Sequence, residues 1–183
     1  ENSDKGINLE DLEEELDSDE EISDEGTTPD SVFYFVDRFF DQFGDDLEVR
    51  EERVAEIKAM IEKGDYESAR EALEEYRKLA KDLDKTINPE KRSDARKSAA
   101  RIHKALKHIE QNLNKEDKKE FVDEILENEK TIVTAVEIAH KIKDLCVQLA
   151  ELDPNEFYKV CKSEEDSPDW KKELFEDLTE EQR

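Results

Sequence analysis

The sequence predicts an all-α fold, an elongated bundle of about six or seven helices with a long central helix and an acidic N-terminal leader. Three observations carry this expectation. Only four glycines and four prolines interrupt 183 residues, so turns are few and elements are long. Apolar residues make up 34% and charged residues 45%, too few apolar side chains for a thick sandwich but enough for one stripe per helix. Those apolar residues recur at steps of three and four.

Two regions follow: residues 1–27 as a flexible acidic leader outside the bundle, and 28–183 as a helical domain. The chain starts Glu-Asn-Ser and ends Glu-Glu-Gln-Arg, so both ends are expected to be cut, the last one within a further helix capped at Thr179. The first thirty residues hold fourteen acids against Lys5, a charge of −13 out of a total of −25. Leu9, Leu12 and Leu16 suggest a short amphipathic helix inside the leader. Asp17, Asp19 and Glu21 occupy positions 1, 3 and 5 of an EF-hand loop, but Ile22 stands where the turn needs glycine and Thr28 falls at position 12. The stretch is not an EF-hand, and weak association of divalent cations is the most it supports.

Residues 28–43 read as an anchor helix, with Asp30 or Ser31 at its start, Gly44 at its end and six of the thirteen aromatic residues in it. Val32, Val36, Phe40 and Phe43 form its apolar face. Phe33, Tyr34, Phe35 and Phe39 reach beyond that face among Asp37, Arg38 and Asp41. They are covered on both sides by later helices, or one aromatic edge is a docking patch.

A second helix starts at Asp45 or Asp46 with Val49 or Arg50, Val54, Ile57 and Ile61 inward, and stops at Gly64. Asp65 opens a third, with Tyr66, Ala69, Leu73, Tyr76 and Ala80 on one face. The pair resembles half of a tetratricopeptide unit, but no second copy follows at the ~34-residue period, so a helical hairpin is expected. Asn88-Pro89 opens a fourth helix that runs to about Leu113 and is expected to bury Ala95, Ala99, Ile102, Leu106, Ile109 and Leu113. Residues 85–109 carry eight cations against two acids. Arg92, Arg96, Arg101 and Lys104 are therefore candidates to meet an acidic segment, the leader of the same or a neighbouring chain, unless they only balance nearby helices. Asn114 caps the longest helix, about 115 to 152, a rod of about 50–55 Å. Its seam runs Phe121, Ile125, Ile132, Ala135, Ala139, Ile142, Cys146, Leu149, with Asn128 at one apolar slot. Asp153-Pro154 and Ser167-Pro168 open the last two helices, which carry Phe157, Tyr158 and Cys161, then Trp170, Leu174 and Phe175.

Cys146 and Cys161 flank the reversal at Asp153-Pro154 almost evenly. A hairpin there brings two Cα atoms within the ~7 Å a disulfide needs. Two readings stand: a disulfide, which is favoured and implies an oxidising, extracytoplasmic setting, or two small buried thiols. Little else is chemical. His103, His108 and His140 are not paired at helical spacing, and no HExxH, CxxC or phosphate-loop pattern occurs. The acid pair Asp37/Asp41 lacks the Glu-x-x-His of carboxylate bundles. No catalytic, metal or cofactor site is predicted, and no enzyme. The net charge excludes nucleic acid as a ligand, since phosphate neutralisation supplies most of that affinity. No apolar run of about 18 residues is present to span a membrane as a helix.

Thr28-Pro29-Asp30-Ser31-x-x-Tyr34-x-x-Asp37-Arg38-Phe39-Phe40, followed by Glu52-Arg53-Val54-Ala55-Glu56, resembles the opening of an uncharacterised helical domain family of secreted or envelope-attached proteins in archaea and bacteria. The likeness covers residues 28–80 and fades after that; the segment Gly44–Leu47 is shorter here than in the family. It implies export and a helical fold, and no activity.

The expected function is thus a non-catalytic extracytoplasmic module for protein–protein interaction or surface structure, self-associating through its acidic leader and basic helix. The alternatives are an acidic cation-binding surface protein and a cytosolic helical adaptor built on the tetratricopeptide-like hairpin.

Overall fold

The structure, a computed structural model, describes residues 7–14, 16, 46–81 and 87–181. Residues 28–43, expected to form the anchor helix with Phe33, Tyr34, Phe35 and Phe39, lie outside the described residues. Among those described, every element is helical.

Seven helices follow one another. Helix α1 (Leu9–Glu13) is capped by Asn8, whose side-chain oxygen accepts from the Glu10 amide at 3.2 Å. Helix α2 (Asp46–Glu62) ends at Gly64, φ 77°, where the Gly64 amide donates to Ile61 and the Asp65 amide to Met60, both at 2.9 Å. That crossed pair closes the helix and needs a left-handed residue between its two bonds. Asp65 then caps α3 (Tyr66–Lys81) by accepting from the Ser68 amide at 3.1 Å. Asn88 opens a 3₁₀ turn, Pro89–Lys91, that runs into α4 (Arg92–Glu110). Asn114 accepts from two amides, Glu116 and Asp117, and starts the 38-residue helix α5 (115–152). Asp153 does the same for α6 (Pro154–Val160), and α7 (Asp169–Glu181) closes the described chain.

One turn of α5, Lys119–Asp123, is a π-helix. Its wider turn brings two consecutive residues, Phe121 and Val122, to the buried side. Phe121 meets Tyr66 at a ring distance of 6.3 Å, with the Arg70 guanidinium 5.5 Å from its ring centre.

Helices α2 and α3 form the expected hairpin, and α4 packs on α2. The N-terminal half of α5 completes a core of Val54, Ile57, Leu73, Tyr76, Ile102, Leu106, Phe121 and Ile125. Burying eight such side chains at roughly 1.5–3 kcal/mol each makes this the main source of stability. A second, smaller centre lies at the far end of α5, where Cys146, Ala150, Phe157 and Cys161 pack with Leu149, Leu174, Phe175 and Leu178.

Three expectations change, and one left open, Val49 or Arg50, is decided. The leader was placed outside the bundle, yet α1 lies on α4 with Leu9 and Leu12 buried against Ala99, Ala100 and Val133. Three-residue leucine spacing gives five residues an apolar edge, and the small side chains of α4 leave it room. At the start of α2, Arg50 and not Val49 faces inward. In α5 the polar residue in the seam is Glu129, fully buried, while Asn128 is only half-buried. Thr179 does not cap a further helix: it lies within α7 and its hydroxyl donates to the Phe175 carbonyl at 2.6 Å.

Candidate interaction faces

Three places in the molecule hold more than packing requires: the cationic face of α4, a buried charge cluster, and the bare second half of α5.

The cations of α4 are largely engaged within the chain. Arg92 and Arg96 both donate to Glu137 of α5, at 2.8 and 2.7 Å. Arg101 grips both carboxylate oxygens of Glu51 on α2, at 2.9 and 2.7 Å. Lys104 is half-buried and also has an interaction. Burial works against ionisation of Glu137, but the hydrogen bonds from Arg92 and Arg96 outweigh it and hold the carboxyl below its usual range. The candidate residues Arg92, Arg96 and Arg101 thus tie α4 to its neighbours, in bidentate or shared geometry that fixes helix register. One turn further on, the basic face meets the leader. His103 Nδ1 contacts the Glu13 carboxylate, and Lys107 lies 3.9 Å from Glu10 and 3.8 Å from Glu13.

The buried cluster is the feature that sequence patterning misses. Arg50 donates through Nε and Nη2 to the two oxygens of Glu129, at 3.1 and 3.3 Å. Tyr76 donates its hydroxyl to the same carboxylate at 2.8 Å and approaches the Ile125 carbonyl at 3.3 Å. Side-chain exposure is 1% for Arg50 and 0% for Glu129. Burial, then the Glu129 charge, drives the Tyr76 phenol far above its usual range, so it stays a donor at any working pH. Arg50 Nη1 is buried with no partner. The cluster joins α2, α3 and α5 through one carboxylate, as a structural lock does. The only sequence signal for it is an arginine at an inward slot of α2.

The bare surface is on α5. Ile138, Ile142, Leu145 and Leu152 are 53%, 38%, 59% and 83% exposed. With half-buried Leu149 they step 4, 3, 4, 3 along one edge of the helix, about 21 Å long. Tyr158 and Val160 on α6 are exposed as well. Of this stripe only Ile142 and Leu149 were in the predicted seam, and both were expected inside. Ile138, Leu145 and Leu152 went unselected, although their heptad spacing was available in the sequence.

Cys146 and Cys161 form a disulfide with Cα atoms 5.8 Å apart, joining α5 to the end of α6. Among the described residues no group of three or more His, Cys, Asp or Glu side chains could hold a metal ion, and no helix is long and apolar enough to cross a membrane.

No curated protein and no solved structure matches the chain. The family model described as "Domain of unknown function (DUF5667)" matches residues 45–180, beginning beyond the Thr28–Phe40 motif and covering all of α2 to α6 with most of α7. This chain belongs to that uncharacterised family.

Proposed function

We propose that this protein is a non-catalytic helical module that works outside the cytoplasm and binds an amphipathic helix of a partner protein along the second half of α5. The observation that carries the proposal is the exposed stripe Ile138, Ile142, Leu145, Leu152. A single exposed leucine is ordinary, but four large apolar side chains in heptad register are the pattern a second helix fills. A charge of −25 on each chain opposes pairing with a second copy, which favours a partner with neutral or basic flanks. The Cys146–Cys161 disulfide supports the extracytoplasmic setting.

Two experiments test this. A photo-crosslinking residue at Leu145 of the full chain in its native cell should give one discrete protein adduct, absent when the same residue stands at Glu71 and absent in an Ile142→Glu background. Equal labelling at Leu145 and Glu71 would remove the docking face. Thiol labelling of natural material tests location: both cysteines reactive on isolation would place the protein in a reducing compartment.

A further inference from the structure

We infer that the groove between α4 and α5 that holds α1 is a binding site for an acidic, leucine-spaced helix, and that the leader is its exchangeable in-chain occupant, which a similar segment of a partner protein displaces. This site is separate from the α5 stripe and does not depend on it.

The bound segment shows what the groove selects. Leu9 and Leu12, three residues apart and hence on one helical face, are buried against Ala99, Ala100 and Val133. Ile7 and Leu16 lengthen the apolar edge and pack on the same cluster. Glu10 and Glu13 follow each leucine by one residue, and both lie near Lys107, with Glu13 also on His103. Leucine at i and i+3 with acid at i+1 and i+4 is therefore the pattern that fits. The groove supplies the complement: alanines that let a helix approach closely, and cations one turn along α4. In a chain of charge −25, that local cationic spot is what permits an acidic segment to settle.

Exchange follows from how lightly α1 is held. A helix of five residues is far below the length that persists alone in water, so its order comes from the groove. Its Glu10–Lys107 contact is a surface contact, both side chains more than half exposed, which leaves the partly buried Glu13–His103 contact as its main polar tie. Residues 17–45 join it to α2 within one chain, so α1 occupies the groove as an intramolecular competitor. Such an occupant competes with a partner without excluding it.

The test uses the full chain and a fluorescent peptide of residues 1–16. In Leu9→Ala/Leu12→Ala the groove is vacated, and the peptide should bind, by fluorescence anisotropy, at least about tenfold more tightly than to the wild type, where the leader competes. Glu10→Lys/Glu13→Lys, which changes only side chains at the rim, should behave in the same way and serves if the leucine variant loses its helical circular dichroism. Adding Lys107→Glu to either variant should abolish the gain. Equal binding to wild type and variants would place the peptide elsewhere on the surface. No binding to either variant up to millimolar peptide would make α1 a fixed part of the fold. Either result overturns the inference.

Discussion

Glu129→Leu should be the most damaging single substitution in the described residues, because it strands Arg50. The guanidinium is 1% exposed, its two bonds to Glu129 are lost together, and its Nη1 already has no partner. Removing one member of a buried ion pair leaves an unpaired charge in low dielectric, at a cost of about 3–5 kcal/mol. For a chain of this size each kcal/mol moves Tm by roughly 2–4 °C, so a fall of about 6–20 °C is expected. The Tyr76 hydroxyl adds little, since the Ile125 carbonyl remains 3.3 Å away. The informative comparison is Arg50→Met/Glu129→Leu. Both desolvation costs then vanish, and stability should return to within about 1 kcal/mol of the wild type or exceed it. Urea unfolding of wild type, both single variants and the double variant gives the coupling directly. A Glu129→Leu loss below about 1 kcal/mol would refute the claim that the pair is buried and ionised, as would a double variant no more stable than the single.

Three further outcomes are expected. Stability measured by urea should rise as pH falls from 7 toward about 5, then drop below the ordinary carboxyl value of 4.5. Burial first, and for Glu52 the neighbouring Glu56 charge, raises both carboxyls, so their cost is present above the raised pKa and relieved on protonation. Glu124, held low by hydrogen bonds from Arg77, and Glu137 contribute stability that is full above 4.5 and lost below it. A rising limb of undiminished height in Glu52→Gln would contradict the assignment. Reduction of Cys146–Cys161 reopens a loop of about 15 residues, worth about 3 kcal/mol, and should speed hydrogen exchange in α6 and α7 while α2 to α4 stay protected. Uniform acceleration would mean the two packing centres unfold as one. Gly64→Ala should cost about 1–2 kcal/mol in chemical denaturation and Gly64→Asn much less, because no atom lies near the added Cβ and only the φ of 77° is at issue. Equal costs would point to crowding instead.

Helix boundaries were legible because caps are local. Gly64, Asp65, Asn88-Pro89, Asn114 and Asp153-Pro154 all start or stop elements where their chemistry predicts, each through bonds to amides within five residues. Partnership was not legible in the same way. Nothing in the sequence around Arg92 and Arg96 says that Glu137, more than forty residues on, receives both. The basic cluster of α4 looked like a surface for another molecule because unpaired cations and cations paired across a fold have the same composition. The leader was misplaced for a related reason. Its charge resembles a solvated tail, and only the alanines of a distant helix make room for Leu9 and Leu12.

The long helix shows where patterning fails for a geometric reason. A strict 4,3 rhythm from Phe121 to Leu149 repeats every 3.5 residues, but a straight α-helix turns every 3.6, so the stripe drifts by about 20° per heptad. Phe121 to Ile142 is three heptads, a drift of roughly 60°, and Ile142 lies 38% exposed. The buried seam runs Ile125, Glu129, Ile132, Val136, Ala139, Cys146, Ala150, also in steps of four and three; it keeps Ile125, Ile132, Ala139 and Cys146 of the predicted row but takes Glu129, Val136 and Ala150, one residue beyond Asn128, Ala135 and Leu149. Ala135 is half-buried, as is Leu149, which belongs to the outer row and packs on the disulfide centre. The core row and the outer row from Ile138 to Leu152 therefore share one spacing and are offset by one residue around the helix. That spacing is the one at which a helix packs along another helix: the core row meets the chain's own bundle, and of the outer row Leu149 packs on the disulfide end. The second half of α5 thus carries, one residue away from its core row, an apolar row whose Ile138, Ile142, Leu145 and Leu152 the described bundle leaves exposed.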